Sequence, residues 1–235
     1  MKTHNQNRSA MDRVAPIVAF LPIFAASCGM PDGADETAPL QATQSALTCA
    51  SYTSQESEST PIQIVGGKTL PAGWNSTPWQ RPTVYTSTDP FRGRSGKPAT
   101  HEGTDYINNN TAAATVDVKA AAAGTVVYVR LGCPQSAVFT PNQSLRECGG
   151  GWGNHVVVSH GNALYTRYAH LDPVDVAVTV GQAVSLGQRL GGMGNSGRSD
   201  LRHLHFEFGK EATSFNSCTI AQSMDFVWDS ERLFL

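Results

Sequence analysis

The sequence predicts an all-β domain built from antiparallel hairpins. Short runs of β-branched and aromatic residues recur, as in TVVYVR at 125–130 and NHVVVS at 154–159. The 22 glycines and 13 prolines among 235 residues mark frequent turns between such runs. Alanine runs at 112–114 and 120–123 have high helix propensity, but the glycine and valines beside them argue against a long helix. We expect at most a short helix near the C-terminus.

Composition and charge exclude several classes of protein. The 17 basic and 19 acidic residues give a net charge of −2 without a long run of one sign, so no nucleic-acid partner is expected. No stretch of about 18 apolar residues is present, which argues against a transmembrane helix. The hydrophobic content of 40% is too high for a fully disordered chain. The length fits one domain with appendages, and we expect a monomer.

The N-terminus, residues 1–28, is typical of an export signal. Basic residues precede an apolar run of 13 residues at 14–26, which is interrupted by two prolines and is too short to span a bilayer. The small residues just before Cys28 resemble the cleavage box of a bacterial lipoprotein, so Cys28 is a candidate for lipidation. The alternative is an ordinary secretory signal in which Cys28 is removed. Both predict export, either to the periplasm or cell envelope with a lipid anchor in the outer membrane, or as a secreted protein.

The predicted domain begins after a polar segment. Residues 29–62 have little apolar periodicity, and the serine-rich stretch at 51–61 is typical of a solvated linker or a propeptide. Apolar residues and turn signals return at 63–235, which we assign to one domain. Runs at 154–159 and 163–169, separated by a turn, predict a hairpin. Further strands are predicted at 116–118, 125–130, 176–180 and 201–208.

The remaining cysteines predict disulfides. Four cysteines follow Cys28, an even number that suits pairing in an oxidising compartment. Cys133 and Cys148 bracket a polar loop between two predicted strands, and we expect them to pair. This leaves Cys49 to pair with Cys218. A thiol nucleophile or a metal thiolate is disfavoured because no C-x-x-C pattern occurs.

Two patterns of polar side chains indicate a metal site. In RHLHFEF, strand alternation places His203, His205 and Glu207 on one face, opposite a leucine and two phenylalanines that would pack on a core. A solvent-exposed face is the alternative. His101 and Asp105 are four residues apart in a glycine-containing turn that would bring their side chains together. Two imidazoles and one carboxylate form a typical catalytic zinc set, with a fourth position open for water.

The order of the motifs resembles that of a known family. HEGTD at 101–105, YAHL at 168–171 and HLHFE at 203–207, with glycine-rich segments between them, are similar to the lysostaphin-type (LytM-like) zinc endopeptidases of bacterial cell walls. The resemblance covers about residues 100–209. It implies the antiparallel β-sheet fold of that family, related to the duplicated hybrid motif, with an open groove.

The resemblance implies a site and a reaction. It implies one Zn²⁺ ion held by His101, Asp105 and His205, and it implies that His170 and His203 are catalytic residues that do not bind the metal. These two would activate water or stabilise the tetrahedral intermediate. The implied reaction is hydrolysis of amide bonds in peptidoglycan peptides, in stems or cross-bridges. Two alternatives remain open: a non-catalytic envelope module that regulates a cell-wall hydrolase, and a protease of glycine-rich extracellular proteins.

Several neighbouring features have more than one interpretation. Glu207 either orients an imidazole from outside the ligand set or is an exposed strand carboxylate. His155 is expected to be structural or to lie at the rim of the site, and His160 to cap a turn. The loop at 133–148 and the asparagine-rich segment at 108–114 look like insertions that rim the cleft.

Overall fold

The computed structural model describes residues 62–212, 215 and 222–235. Their regular structure is almost entirely β, with no α-helix, which confirms the predicted fold class. Within these ranges, no helix is both long enough and apolar enough to cross a membrane. The described strands are β1 (Ile64–Val65), β2 (Ser87–Asp89), β3 (Thr104–Ile107), β4 (Asp117–Lys119), β5 (Gly124–Arg130), β6 (Asn154–Ser159), β7 (Leu164–Val176), β8 (Ala183–Val184), β9 (Arg189–Met193), β10 (His203–Lys210) and β11 (Phe226–Trp228). The same ranges contain short 3-10 helices at Trp74–Ser76, Cys148–Gly151 and Ser230–Phe234.

Part of the sequence-based interpretation lies outside the described residues. This applies to the export signal at 1–28, to nearly all of the predicted linker, and to Cys28, Cys49 and Cys218. Lipidation of Cys28, pairing of Cys49 with Cys218 and the proposed domain boundaries therefore stay predictions.

All the described strands belong to one sheet, whose central order is β11-β10-β7-β6-β5. The expected hairpin is confirmed, because β6 and β7 pair antiparallel with Val158 opposite Thr166. Each described strand pair is antiparallel except β1 with β11. The strands predicted at 116–118, 125–130 and 201–208 correspond to β4, β5 and β10, with their ends displaced by one or two residues.

Strand β10 is buried on both faces. Its apolar side chains, Leu204, Phe206 and Phe208, are fully buried in the main core together with Tyr168 of β7. The opposite face carries the two histidines and the glutamate of RHLHFEF, and these side chains are buried as well. The alternation predicted for this strand is confirmed, and the alternative of a solvent-exposed polar face is wrong.

The prediction of a strand at 176–180 is wrong. Strand β7 continues from the hairpin as far as Val176, and the four residues after it belong to no strand. The N–H of Gln182 donates instead to the carbonyl of Thr179 at 3.2 Å, which closes a turn. Val178 is buried all the same, so its hydrophobicity contributes to the core without strand pairing.

Strand β9 has a sequence, RLGGM, that β propensity does not predict. A Cβ atom at Gly191 would lie 2.5 Å from the carbonyl oxygen of Asp175, and one at Gly192 would lie 2.4 Å from its carboxylate. Only glycine permits this close approach of β9 to β7. The pairing therefore depends on how closely these glycines fit against β7 rather than on β propensity.

The first expected insertion, residues 133–148, is not among the residues that line the groove, although the chain that follows it is. Cys133 and Cys148 are joined by a disulfide, with their Cα atoms 5.6 Å apart. The chain just beyond Cys148, at Gly150 and Gly151, lines the groove that holds the histidines.

The expectation that 108–114 rims the same cleft is wrong. Arg202, a buried residue, donates hydrogen bonds to the carbonyl oxygens of Asn108, Asn110 and Ala113 at 3.2, 2.7 and 2.8 Å. These bonds hold the segment beside a separate polar pocket.

Candidate functional site

Two strands and one turn bring three predicted ligands together. Asp105 of β3 lies directly opposite His205 of β10 in the antiparallel ladder. His101 precedes β3, and the turn between it and Asp105 contains Gly103. A Cβ atom at Gly103 would lie 2.4 Å from the carbonyl oxygen of Phe206, so glycine allows the turn to press against β10.

The side chains of these residues converge on Asp105. Its Oδ1 lies 3.1 Å from Nε2 of His101 and 2.7 Å from Nδ1 of His205. The three candidate ligand atoms lie within 4.8 Å of one another. Two imidazole nitrogens and one carboxylate oxygen in this arrangement match the three protein ligands of a catalytic zinc site.

The second nitrogen of each ligand histidine has an acceptor of its own. Nδ1 of His101 donates to the carbonyl oxygen of Pro90 at 2.8 Å, and Nε2 of His205 donates to Oε1 of Glu207 at 3.1 Å. Histidines that bind metals usually donate their other N–H to a carbonyl or carboxylate, which fixes the ring and its tautomer. The donor set therefore fits a Zn²⁺ ion. The interpretation of Glu207 as an exposed carboxylate is wrong, because it is fully buried.

The electrostatics of the site favour a cation. Burial raises the pKa of Asp105, but hydrogen bonds with His101 and His205 outweigh burial and hold this pKa well below its usual range. Burial raises the pKa of Glu207, but the charge of Arg167 and contact with His205 lower it to about 2. Burial lowers the pKa of His205, yet hydrogen bonds to Asp105 and Glu207 raise it to about 10. Arg167 offsets the charge of Glu207, whereas the ionised Asp105 carboxylate favours positive charge beside it, which a divalent cation supplies when bound.

His170 reaches the site from a bulge in β7. Tyr168 pairs with Val156 and Leu171 pairs with Asn154, so two residues of β7 oppose one residue of β6. His170 has a φ of 59°, in the left-handed region that non-glycine residues rarely adopt. The bulge changes the alternation of the strand, because Tyr168 and Leu171 both face the core while His170 lines the groove.

His170 and His203 form a pair beside the three candidate ligands. Their ring centroids are 4.5 Å apart. Nδ1 of His170 donates to the carbonyl oxygen of Ser196 at 2.7 Å, and Nδ1 of His203 donates to that of Leu201 at 2.8 Å. Burial lowers the pKa of both imidazoles, so both are neutral near neutral pH. Each neutral ring then has an unprotonated Nε2 that can accept a proton.

All five predicted site residues line one open groove. The walls of the groove carry charged and aromatic side chains, which include Asp89, Glu102, Trp152, Arg198 and Asp200.

Arg167 and Trp152 are parts of the site that sequence reasoning missed. Arg167 is fully buried opposite Glu207 in the β7–β10 ladder, and its Nε lies 3.1 Å from Oε2 of that residue. Its guanidinium lies 3.6 Å above the ring of Trp152, whose Nε1 donates to Oε1 of Glu207 at 2.6 Å. The available signal was an arginine within a strand of the predicted hairpin, since a charge that becomes buried requires a partner.

The other two histidines of the domain lie away from the ligand set. His155 is fully buried, with Nδ1 donating to the carbonyl oxygen of Gly153 at 2.9 Å, so it is structural and its placement at the rim is wrong. His160 ends β6 at the hairpin turn, where its N–H donates to the carbonyl oxygen of Leu164. The two nitrogens of its ring form hydrogen bonds with the carbonyl oxygen of Ala123 and the hydroxyl of Thr166.

Comparisons with known proteins find relatives that match parts of this chain. The sequence is 53% identical over 55 residues to the peptidoglycan DD-endopeptidase ShyA of Vibrio cholerae, covering 23% of this chain and 12% of that protein. It is 31% identical over 160 residues to an uncharacterized metalloprotease of Haemophilus influenzae, covering 66% of this chain and 28% of that protein. The structure is similar to that of the antimicrobial peptidase lysostaphin from Staphylococcus simulans, with 25% identity, a TM-score of 0.33 and coverage of 48% of this chain and 39% of that one.

The family assignment rests on a longer match. The curated relatives are matched over less than a third of their own length. The sequence model of Peptidase family M23 matches residues 99–217, which is just over half of the chain and includes all five predicted site residues. The chain therefore belongs to peptidase family M23.

Proposed function

We propose that this protein is a zinc-dependent endopeptidase that hydrolyses amide bonds in peptidoglycan peptides, in stems or cross-bridges. The observation that carries the proposal is the placement of the Asp105 carboxylate between His101 and His205, beside two neutral imidazoles in an open groove. The substrate class is supported by the similarity to a protein named as a peptidoglycan DD-endopeptidase.

The residues divide into a ligand set and a proton-transfer pair. His101, Asp105 and His205 would hold the Zn²⁺ ion, which when bound polarises the scissile carbonyl and makes water a nucleophile near neutral pH. The unprotonated Nε2 of His203 or His170 accepts a proton as the oxygen of water bonds to the carbonyl carbon. The same nitrogen donates that proton to the leaving amine as the C–N bond breaks, or stabilises the oxyanion while protonated.

The expected location of the protein agrees with this substrate. Peptidoglycan lies outside the cytoplasm, and the N-terminal export signal would deliver the chain there. The disulfide between Cys133 and Cys148 suits an oxidising compartment. We propose the periplasm or cell envelope, with a lipid on Cys28 as the anchor, or secretion if Cys28 is removed with the signal.

Digestion of purified peptidoglycan tests the proposal. The zinc-loaded protein should release soluble fragments, and mass spectrometry should locate the new amine and carboxylate ends in the peptides. Removal of zinc with a chelator should abolish release, added Zn²⁺ should restore it, and the variant His205→Ala should release no fragments. Thr83→Val, which loses a hydrogen bond to Asp117 far from the ligand set, is the folding control. Release that persists without zinc, or in His205→Ala, would overturn the proposal.

The same digestion separates the two alternatives. A non-catalytic envelope module would bind peptidoglycan without releasing fragments. A protease of glycine-rich extracellular proteins would cleave such proteins but leave peptidoglycan intact. The complete set of candidate ligands and the two neutral histidines favour an enzyme over a regulatory module.

A further inference from the structure

We propose that Asn142 is a positioning residue for His203. Asn142 lies in the disulfide loop, residues 134–147, which the Cys133–Cys148 bond closes. Hydrogen bonds from Asn142 hold the backbone of residues 197–201, here called the holding segment. This segment in turn holds the imidazole of His203. The catalytic consequence rests on the proposed function, whereas the positioning itself is a property of the folded protein.

The holding segment determines which nitrogen of His203 carries the proton. Nδ1 of His203 lies 2.8 Å from the carbonyl oxygen of Leu201 and 3.2 Å from Oγ of Ser199. Because a carbonyl oxygen only accepts hydrogen bonds, the proton of the neutral ring lies on Nδ1. Nε2 is left unprotonated, 3.7 Å from Oδ2 of Asp105. If the carbonyl oxygen of Leu201 were displaced, Nδ1 would no longer be the preferred site of the proton.

The holding segment is not fixed by strand pairing. It lies between the end of β9 at Met193 and the start of β10, and none of its residues belongs to a strand. The disulfide loop supplies bonds in place of a ladder. The N–H of Asn142 donates to the carbonyl oxygen of Ser199 at 2.9 Å, and its Nδ2 donates to that of Gly197 at 2.9 Å. Nη1 of Arg146 donates to the same Ser199 oxygen at 3.0 Å.

The side-chain amide of Asn142 forms hydrogen bonds both within the disulfide loop and with the holding segment. Its Oδ1 accepts the N–H groups of Ser136 and Ser144 at 2.9 and 3.1 Å, which orders the loop itself. Its Nδ2 donates both within the loop, to the carbonyl oxygen of Ser144 at 3.0 Å, and across to that of Gly197 at 2.9 Å. The residue is fully buried, so no water can replace these bonds. An aspartate has the same shape and keeps the acceptor, but its ionised carboxylate lacks the donor.

His170 provides an internal comparison. Its Nδ1 is held by the carbonyl oxygen of Ser196, just before the holding segment. Ser196 has supports of its own, because its Oγ donates to the carbonyl oxygen of Leu171 at 2.7 Å and accepts from the N–H of Asn154 at 3.0 Å. Loss of the Asn142 amide should therefore disturb His203 and leave His170 in place.

Kinetics of Asn142→Asp in the zinc-loaded full chain test the catalytic consequence. The variant should lower kcat at least about tenfold with KM and zinc affinity unchanged, because the ligands lie on β3, β10 and the turn before β3. In a His203→Ala background, the same substitution should change the residual rate less than about twofold, since both act through one group. Asn142→Ala is the second variant if aspartate prevents folding, and Thr83→Val is the control for general destabilisation.

Nitrogen-15 NMR of histidine-labelled protein tests the positioning without any substrate. Wild-type His203 should show a single Nδ1-protonated form, and Asn142→Asp should show a mixture with the Nε2-protonated form, while His170 is unchanged. Three results would each overturn the proposal. The first is an Asn142→Asp protein that keeps the single Nδ1-protonated form and the wild-type kcat. The second is a rate loss that is fully additive in the His203→Ala background, and the third is a loss of zinc affinity in the variant. If the wild-type protein releases nothing from peptidoglycan, the proposed function fails, and the NMR comparison alone decides the role of Asn142.

Discussion

Glu207 and Arg167 form a fully buried pair of opposite charges next to a candidate ligand. The carboxylate accepts hydrogen bonds from Arg167, Trp152 and His205, so its lone pairs are used in several directions. A buried pair of this kind adds little net stability, but loss of one partner leaves an uncompensated charge. We interpret this buried pair as a means of fixing the orientation of the His205 ring.

The variant Glu207→Gln should weaken zinc binding. Its amide cannot supply the charge that raises the basicity of His205, and residues that support ligands in this way contribute about 10- to 100-fold in metal affinity. Competition with a chromophoric chelator measures that affinity directly. The exposed Glu147→Gln, which also loses an arginine partner, is the matched control. Unchanged zinc affinity in a folded Glu207→Gln protein would contradict this role.

At the scale of elements, the bulge in β7 is the device that delivers His170. Regular alternation would place His170 on the same side as Tyr168, inside the core. The extra residue of the bulge and the positive φ at position 170 redirect the side chain into the groove. The conformational cost of this backbone is about 1–2 kcal/mol for a residue with a Cβ atom, so the fold accepts strain at the site.

Substitutions at position 170 should separate stability from activity. His170→Gly should be more stable to urea than His170→Ala by about 1 kcal/mol, although glycine is normally unfavourable in a strand, because only glycine adopts a positive φ without strain. Both variants should lose about 100-fold or more in rate and keep zinc, since His170 is outside the ligand set. Equal stability of the two variants would show that the bulge is not strained at this position.

At the scale of the whole molecule, a buried polar chain links the central hairpin to the alanine-rich segment. The N–H of Ala121 donates to the hydroxyl of Tyr168 at 2.8 Å, which lies 3.0 Å from Oγ1 of Thr166. Thr166 lies 2.8 Å from Nε2 of His160, whose Nδ1 donates to the carbonyl oxygen of Ala123 at 2.8 Å. A neutral His160 offers its unprotonated Nε2 as an acceptor to this chain, whereas a protonated ring would replace that acceptor with a second N–H donor.

The buried polar chain that contains His160 predicts that the folded protein loses stability in acid. Burial lowers the pKa of His160 to about 4, against about 6.5 in an unfolded chain. Between these values the unfolded chain binds more protons than the folded one, so the free energy of unfolding falls as pH decreases from about 6.5 to about 4. The contribution is on the order of 3 kcal/mol.

Urea unfolding of zinc-free protein between pH 4 and 7 measures this contribution. His160→Gln cannot be protonated, and its amide can both donate and accept, so the pH dependence of its stability should be shallower than that of the wild type. The difference between the two proteins isolates His160 from the other buried histidines. Parallel pH profiles would contradict the assignment.

The sequence by itself determined the fold class and the chemical elements of the site. Alternation in RHLHFEF set the two faces of β10, because strand side chains alternate whatever the neighbours are. The three motifs, in their order along the chain, identified five of the residues that line the groove. The hairpin of β6 and β7 also followed from local pattern, since its turn and the two strand-like runs beside it are contiguous.

Tertiary structure decided what depends on contacts between distant segments. Glycine-rich β9 pairs with β4 and β7 although its own residues do not favour a strand. Residues 177–180 belong to no strand, and the N–H of Gln182 closes a turn on the carbonyl oxygen of Thr179. The burial of Glu207 follows from Arg167, 40 residues away. The tautomer of His203 depends on a loop whose polar sequence looked like an insertion. Periodicity reports the preferences of a segment, whereas hydrogen-bond partners and buried charges are fixed only when separate segments meet.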